Sequence, residues 1–172
     1  GLRGGFPVYL FAERVDGVNF STNTVWEGTI REGTHYEYYP GKLGNQYIAE
    51  AADLSIVPDN EYDFFLSCHS LEHVANPIKA MREWNRVLKT GGMLVLVLPD
   101  KRFSFDQRRS YTEFQHLLDD YQQGVDERDT THFQEIIECH IPTTSQIEDE
   151  KKELIKKLND NYTFRMAHHH VF

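Results

Sequence analysis

Two histidine-bearing segments concentrate the chemistry of this chain: His69-Ser70-Leu71-Glu72-His73 and His168-His169-His170. A glutamate beside two histidines offers a carboxylate and two imidazoles, groups that bind divalent ions or move protons near neutral pH. The short tract His168-His169-His170 runs on into Val171-Phe172, so it reads as part of the native chain and as a source of one further imidazole. A third group of reactive type is the basic cluster Lys101, Arg102, Arg108 and Arg109. Such a cluster can receive an anionic substrate, or it can pair with Asp100 and Asp106 at the surface, and the sequence leaves both open.

These residues need elements to hold them. Asp63-Phe64-Phe65-Leu66-Ser67-Cys68 is a short, mostly apolar run after the turn-forming Pro58-Asp59-Asn60, and Met93–Leu98 is apolar throughout, as for a strand covered on both faces. Between them, Asn76 caps a helix, Pro77 takes its first position and Gly91-Gly92 ends it; Ile78, Met81, Trp84, Val87 and Leu88 form its core-facing stripe. Strand, helix and strand with short connections make a parallel crossover. Residues 14–20 and 46–51 add two earlier strands, giving a doubly wound α/β sheet. Beyond residue 100 the pattern turns helical. Thr112 and Gln115 form a capping box before Phe114, Leu117, Leu118 and Tyr121, with Gly124 as the stop; Phe133, Ile136, Ile137 and His140 mark a second helix; Ser145 and Glu148 open a third.

The 172 residues suit one domain, with a sheet core over residues 1–100 and a helical lid or insertion over residues 101–172. No run approaches the roughly 20 apolar residues of a membrane span. A net charge of -9 disfavours long nucleic acid, and two cysteines exclude a disulfide scaffold and four-cysteine zinc sites. A reducing, cytoplasmic setting is expected. The start Gly1-Leu2-Arg3-Gly4-Gly5, without Met, leads us to expect a chain cut at both ends.

Read in order, Asp53-Leu54, Asn60-Glu61-Tyr62-Asp63-Phe64, Leu71-Glu72-His73-Val74-Ala75-Asn76-Pro77 and Arg86-Val87-Leu88-Lys89-Thr90-Gly91-Gly92 resemble the class I S-adenosylmethionine-dependent methyltransferases, and within them the type 11 group. Pro99–Asp106 together with His168–Phe172 resembles one sub-branch often found beside sugar-processing enzymes. The resemblance implies a Rossmann-like sheet with a helical insertion after its fifth strand, and a cofactor, S-adenosylmethionine, beyond the strand ends. It places Gly1 and Gly4 in the glycine-rich first loop, Asn19 (with Asp16 nearby) where an acid meets the ribose, and Asp53 with the Leu54 backbone at the adenine. Cys68 and His69 would complete the cofactor site. The resemblance implies methyl transfer to a small acceptor, anionic or sugar-linked, in particular a sugar hydroxyl. His69, Glu72 and His73 are the catalytic candidates.

The same motif admits other readings. Some O-methyltransferases place acids and a histidine after this strand to hold a divalent cation, and this chain resembles them at Glu72 and His73, with His69 in place of a glutamate and His169 as a closing ligand. Histidine there shifts the preference toward zinc, iron or nickel. Without metal, His69 or His73 is the candidate base. H-x-x-E-H also resembles the inverted zinc metalloproteases, which need both histidines on one sustained helix. A non-catalytic cofactor-binding module of the same fold is the remaining alternative.

Overall fold

The computed structural model describes residues 7–140, 147–160 and 165–172, which fall into two compact units, Gly1–Ile56 and Val57–Phe172. Gly1, Gly4 and Ser145 lie outside the described residues.

The first unit holds a four-residue helix α1 (Val8–Phe11), strand β1 (Gly17–Asn19), a small hairpin of β2 (Asn23–Thr24) and β3 (Gly28–Thr29), and two longer strands, β4 (Gly33–Tyr39) and β5 (Lys42–Ile48). The sheet order is β1-β5-β4, with β1 parallel to β5 (Asn19 opposite Ile48) and β4 antiparallel to it. The sequence reading places strands at 14–20 and 46–51. The structure shortens the first and moves the second upstream, because β5 pairs from Lys42 to Gln46 with β4, a strand the reading lacks.

The second unit is built on β6 (Tyr62–Cys68), helix α2 (Pro77–Val87) and β7 (Leu88–Val97), with β6 parallel to β7 from Phe64–Met93 to Cys68–Val97. This is the expected crossover. Asn76 caps α2, its side chain accepting a hydrogen bond from the Lys79 N–H at 3.1 Å, and Pro77 fills the first position. Trp84 is 2% exposed and stacks on Phe65 with ring centroids 5.1 Å apart. The far end differs from expectation. The helix stops at Val87, Leu88 already pairs with Tyr62 as strand, and Gly91-Gly92 lie inside β7, where Gly91 takes φ +83° beside the irregularity between Tyr62 and Phe64. Arg86 fixes this junction: its guanidinium bonds Glu83, Asp59 and the Val57 carbonyl, while its own carbonyl accepts from Asn60. Residues 94–98 are half-buried and Met93 is 61% exposed, rather than covered on both faces, because in this two-stranded sheet β7 has β6 as its strand neighbour.

Three helices follow: α3 (Phe114–Gln123), α4 (Phe133–His140) and α5 (Ile147–Asn159). Gly124 ends α3 in the left-handed conformation, as read. Thr112 does not cap α3; it exchanges two 2.9 Å hydrogen bonds with Val171, one through its N–H and one through its hydroxyl. Phe133, Ile136, Leu158 and Ala167 make a small core, joined by Ile137 and Leu154. Among the described residues no helix is long and apolar enough to cross a membrane. Trp84→Ala is expected to cost about 3–5 kcal/mol, read as a lower urea midpoint with an unchanged slope; a shift under 1 kcal/mol would place Trp84 outside the core.

Candidate active site

The carboxyl end of β6 carries the motif. His69 leaves the strand with φ +50°, an uncommon conformation for a side-chain-bearing residue, while its N–H still donates to the Val97 carbonyl at 2.8 Å. This bend turns the chain into a three-residue 3-10 turn, Leu71–His73, which buries Leu71 and Glu72. His69 lies outside that turn, and the next helix starts only at Pro77. The two histidines of H-x-x-E-H therefore do not share a helical face, and the arrangement a zinc protease needs is not formed.

Glu72 is 1% exposed, and its Oε2 is buried with no hydrogen-bond partner. Its Oε1 lies 3.7 Å from His69 Nδ1. Burial raises the Glu72 carboxyl above its ordinary value, against the pull of His168 and His69. His73 donates from Nδ1 toward the Ala167 carbonyl at 3.2 Å, which selects the tautomer with its lone pair on Nε2. His168 packs edge-on against His73, ring centroids 4.5 Å apart, and its Nδ1 meets Asp106 Oδ2 at 2.5 Å. Asp106 in turn pairs with Arg109 Nη1 at 2.8 Å, both side chains 2% exposed. Burial alone would raise the Asp106 carboxyl, but hydrogen bonds from His168 and Arg109 outweigh it and hold the group low.

The ligand-type atoms of Glu72, His73 and His168 lie within 4.8 Å of one another. Of the three-histidine tract, His168 joins the motif. His169 is fully buried elsewhere, with Nε2 3.6 Å from Glu127 and Nδ1 3.9 Å from Asp129. Both histidines of this group bond outward through Nδ1, to a carbonyl or a carboxylate, as histidines that coordinate a metal through Nε2 do. Asp106 and His168 were not singled out by sequence reasoning. The pairing of Asp106 with Arg109 at i, i+3 was the available signal, but it read as a surface pair, and the structure corrects that: the pair is buried.

The cofactor candidates are spread along the chain. Asn19 is half-buried at the end of β1, Asp53 is exposed and accepts from the Ser55 N–H at 3.2 Å, and Leu54 is 1% exposed. Asp16 accepts from the Asn45 N–H at 2.8 Å and pairs with Arg14 at 3.2 Å, so it serves the β1–β5 junction. In the second unit Cys68 ends β6, its thiol raised by burial and by Glu72.

Three buried imidazoles carry a pH consequence. From an ordinary value of 6.5, burial first of all pushes His73 down to about 4, His169 to about 3 and His170 to about 4. The folded state keeps them neutral where the unfolded chain already binds protons. Their full contribution is present above pH 6.5 and is lost as pH falls from 6.5 toward 4. Urea midpoints should therefore drop between about pH 7.5 and about pH 5; equal midpoints would refute the buried neutral state.

A family model described as a methyltransferase domain, of type 11, matches residues 2–96, more than half of the chain. No curated protein and no solved structure matches it. The match covers the crossover β6-α2-β7 and the Glu72-His73 turn at its sheet edge, and on that ground the chain belongs to the class I S-adenosylmethionine-dependent methyltransferases.

Proposed function

We propose that this chain transfers the methyl group of S-adenosylmethionine to a hydroxyl of a small, sugar-like acceptor, and that Glu72, His73 and His168 hold a divalent ion for that hydroxyl. The observation that carries the reading is the orphaned, buried Glu72 Oε2 beside two imidazoles, each bonded outward through Nδ1. A lone buried carboxylate oxygen is costly, and a cation is the natural partner for it.

The donor set supports the cofactor. Asn19 offers an amide able to bond ribose hydroxyls, Asp53 a carboxylate able to accept from an exocyclic amine, and Leu54 a backbone edge beside it. S-adenosylmethionine, when bound, supplies an electrophilic methyl on a sulfonium. A divalent ion in the second unit supplies Lewis-acid chemistry that makes a hydroxyl more acidic. The chain's own residues do the rest. Asp106 and Arg109 fix the ring of His168, and the Ala167 carbonyl fixes that of His73. His69, with its side chain 53% exposed and 3.7 Å from Glu72, is placed to take the hydroxyl proton and pass it to solvent. Any negative charge on the acceptor would meet the basic cluster, in which Arg109 is engaged with Asp106 and Glu135, Arg102 with Asp100, and Lys101 with the Arg109 carbonyl and the Tyr111 ring.

Calorimetry and a radiolabelled methyl-transfer assay over a sugar panel test this. Glu72→Gln should leave S-adenosylmethionine affinity within about twofold and lower transfer by about 100-fold or more. No binding of S-adenosylmethionine by the unaltered chain would sink the reading, and transfer unchanged in Glu72→Gln would remove the assigned role. Binding without transfer to any acceptor would favour the non-catalytic module.

A further inference from the structure

A second group of side chains shares no member with the Glu72 group. We propose that His116, Asp120, His132 and His170 form a structural metal centre for a divalent transition ion of the zinc class, one that fastens the helical segment to the base of α2.

The ligand-type atoms of these four residues all lie within 4.8 Å of one another. His116 Nε2 stands 3.1 Å from His132 Nε2 and 3.4 Å from Asp120 Oδ2, and His170 Nε2 stands 3.6 Å from the same oxygen. Ligands about 2.0–2.1 Å from a tetrahedral ion are separated by about 3.3 Å. The three measured distances, three of the six edges, match the ligand spacing of a tetrahedral zinc site. Asp120 is 7% exposed, and its Oδ2 is buried without a hydrogen-bond partner. A cation among three imidazoles and this carboxylate would supply the missing partner.

Four elements meet here. His116 and Asp120 are one turn apart on α3, His132 immediately precedes α4, and His170 comes from the tail. The Asp120 carbonyl accepts from the Asn76 cap at 3.1 Å, and His170 Nε2 also lies 3.2 Å from the Ala75 carbonyl, so ion binding draws on a nitrogen that otherwise donates there. His116, its side chain 40% exposed, gives an ion its way in. Three nitrogens and one oxygen suit zinc, cobalt or nickel and disfavour calcium and magnesium, which take oxygen ligands. A closed set of four protein ligands is the structural kind of site.

The test uses the full chain, stripped with a chelator and titrated with zinc, bound metal being counted by elemental analysis, and with cobalt(II) as a visible probe of tetrahedral geometry. His116→Ala/His132→Ala should lose one equivalent of zinc and the tetrahedral cobalt absorption. Glu72→Gln/His168→Ala should keep this zinc equivalent and the tetrahedral cobalt absorption, losing only the separate equivalent assigned to the Glu72 group, which distinguishes the two centres. Asp120→Asn, which preserves shape, should weaken zinc binding by about 100-fold or more and serves where the double variant does not fold by circular dichroism. Zinc stoichiometry and cobalt spectrum unchanged in the double variant, affinity unchanged in Asp120→Asn, or no zinc bound by the unaltered chain would each overturn the proposal.

Discussion

The buried pair between Asp106 and Arg109 is the constraint on which the assembled half of the molecule depends. A carboxylate and a guanidinium taken out of water lose a large hydration energy, and only complete hydrogen bonding recovers it. Arg109 offsets much of that loss by reaching beyond its partner, to the His168 carbonyl at 2.7 Å, to Glu135 at 3.1 Å and to the His169 carbonyl at 3.4 Å, while its buried Nε lacks a hydrogen bond. Asp106 spends its second oxygen on the His168 ring. One charge pair thus dictates where the tail runs, which face His168 shows and how α4 is held. The tail is then sewn in from the other side: His170 N–H donates to the Glu72 carbonyl at 3.4 Å, and Val171 pairs with Thr112. The ion pair adds little net stability by itself. Its worth lies in the geometry that it forbids the chain to leave.

The end of β6 shows a second kind of constraint. His69 holds a left-handed backbone angle that costs energy for any residue with a Cβ. The strand's last hydrogen bond to Val97 and the buried Leu71 and Glu72 just beyond it over-determine that bend. The strain is local, and it delivers Glu72 and His73 to the sheet edge within four residues.

What the sequence made legible was local. Asn76-Pro77 announces a helix start because capping and the fixed proline angle act within a few residues, and the apolar runs before and after it announce a parallel crossover. The helix end was misjudged because Leu88 satisfies both a helical stripe and a strand, while two glycines nearby looked like the stop; pairing of Leu88 with Tyr62 decides it, and that contact is not local. β4 escaped notice because polar residues such as Thr34, His35 and Glu37 break its apolar pattern, leaving Tyr38 as its one fully buried side chain. In the site, Glu72 and His73 could be read from spacing alone. The choice of His168 over His169 could not, since three identical neighbours are distinguished only by Asp106 and Glu127, 62 and 42 residues away.

That separation has a consequence for biosynthesis. Chains are made from the amino end, and β6, α2 and β7 can pair as soon as residue 97 has been made. The partners that bury Glu72, His73 and Asp106 arrive only with residues 167–171, about 94 or 95 positions later in the contacts to His73 and Ala75. Until then a nascent chain presents an acidic, imidazole-bearing sheet edge with nothing to cover it. The Glu72 turn therefore completes its contacts only after residues 167–171 have been made and docked.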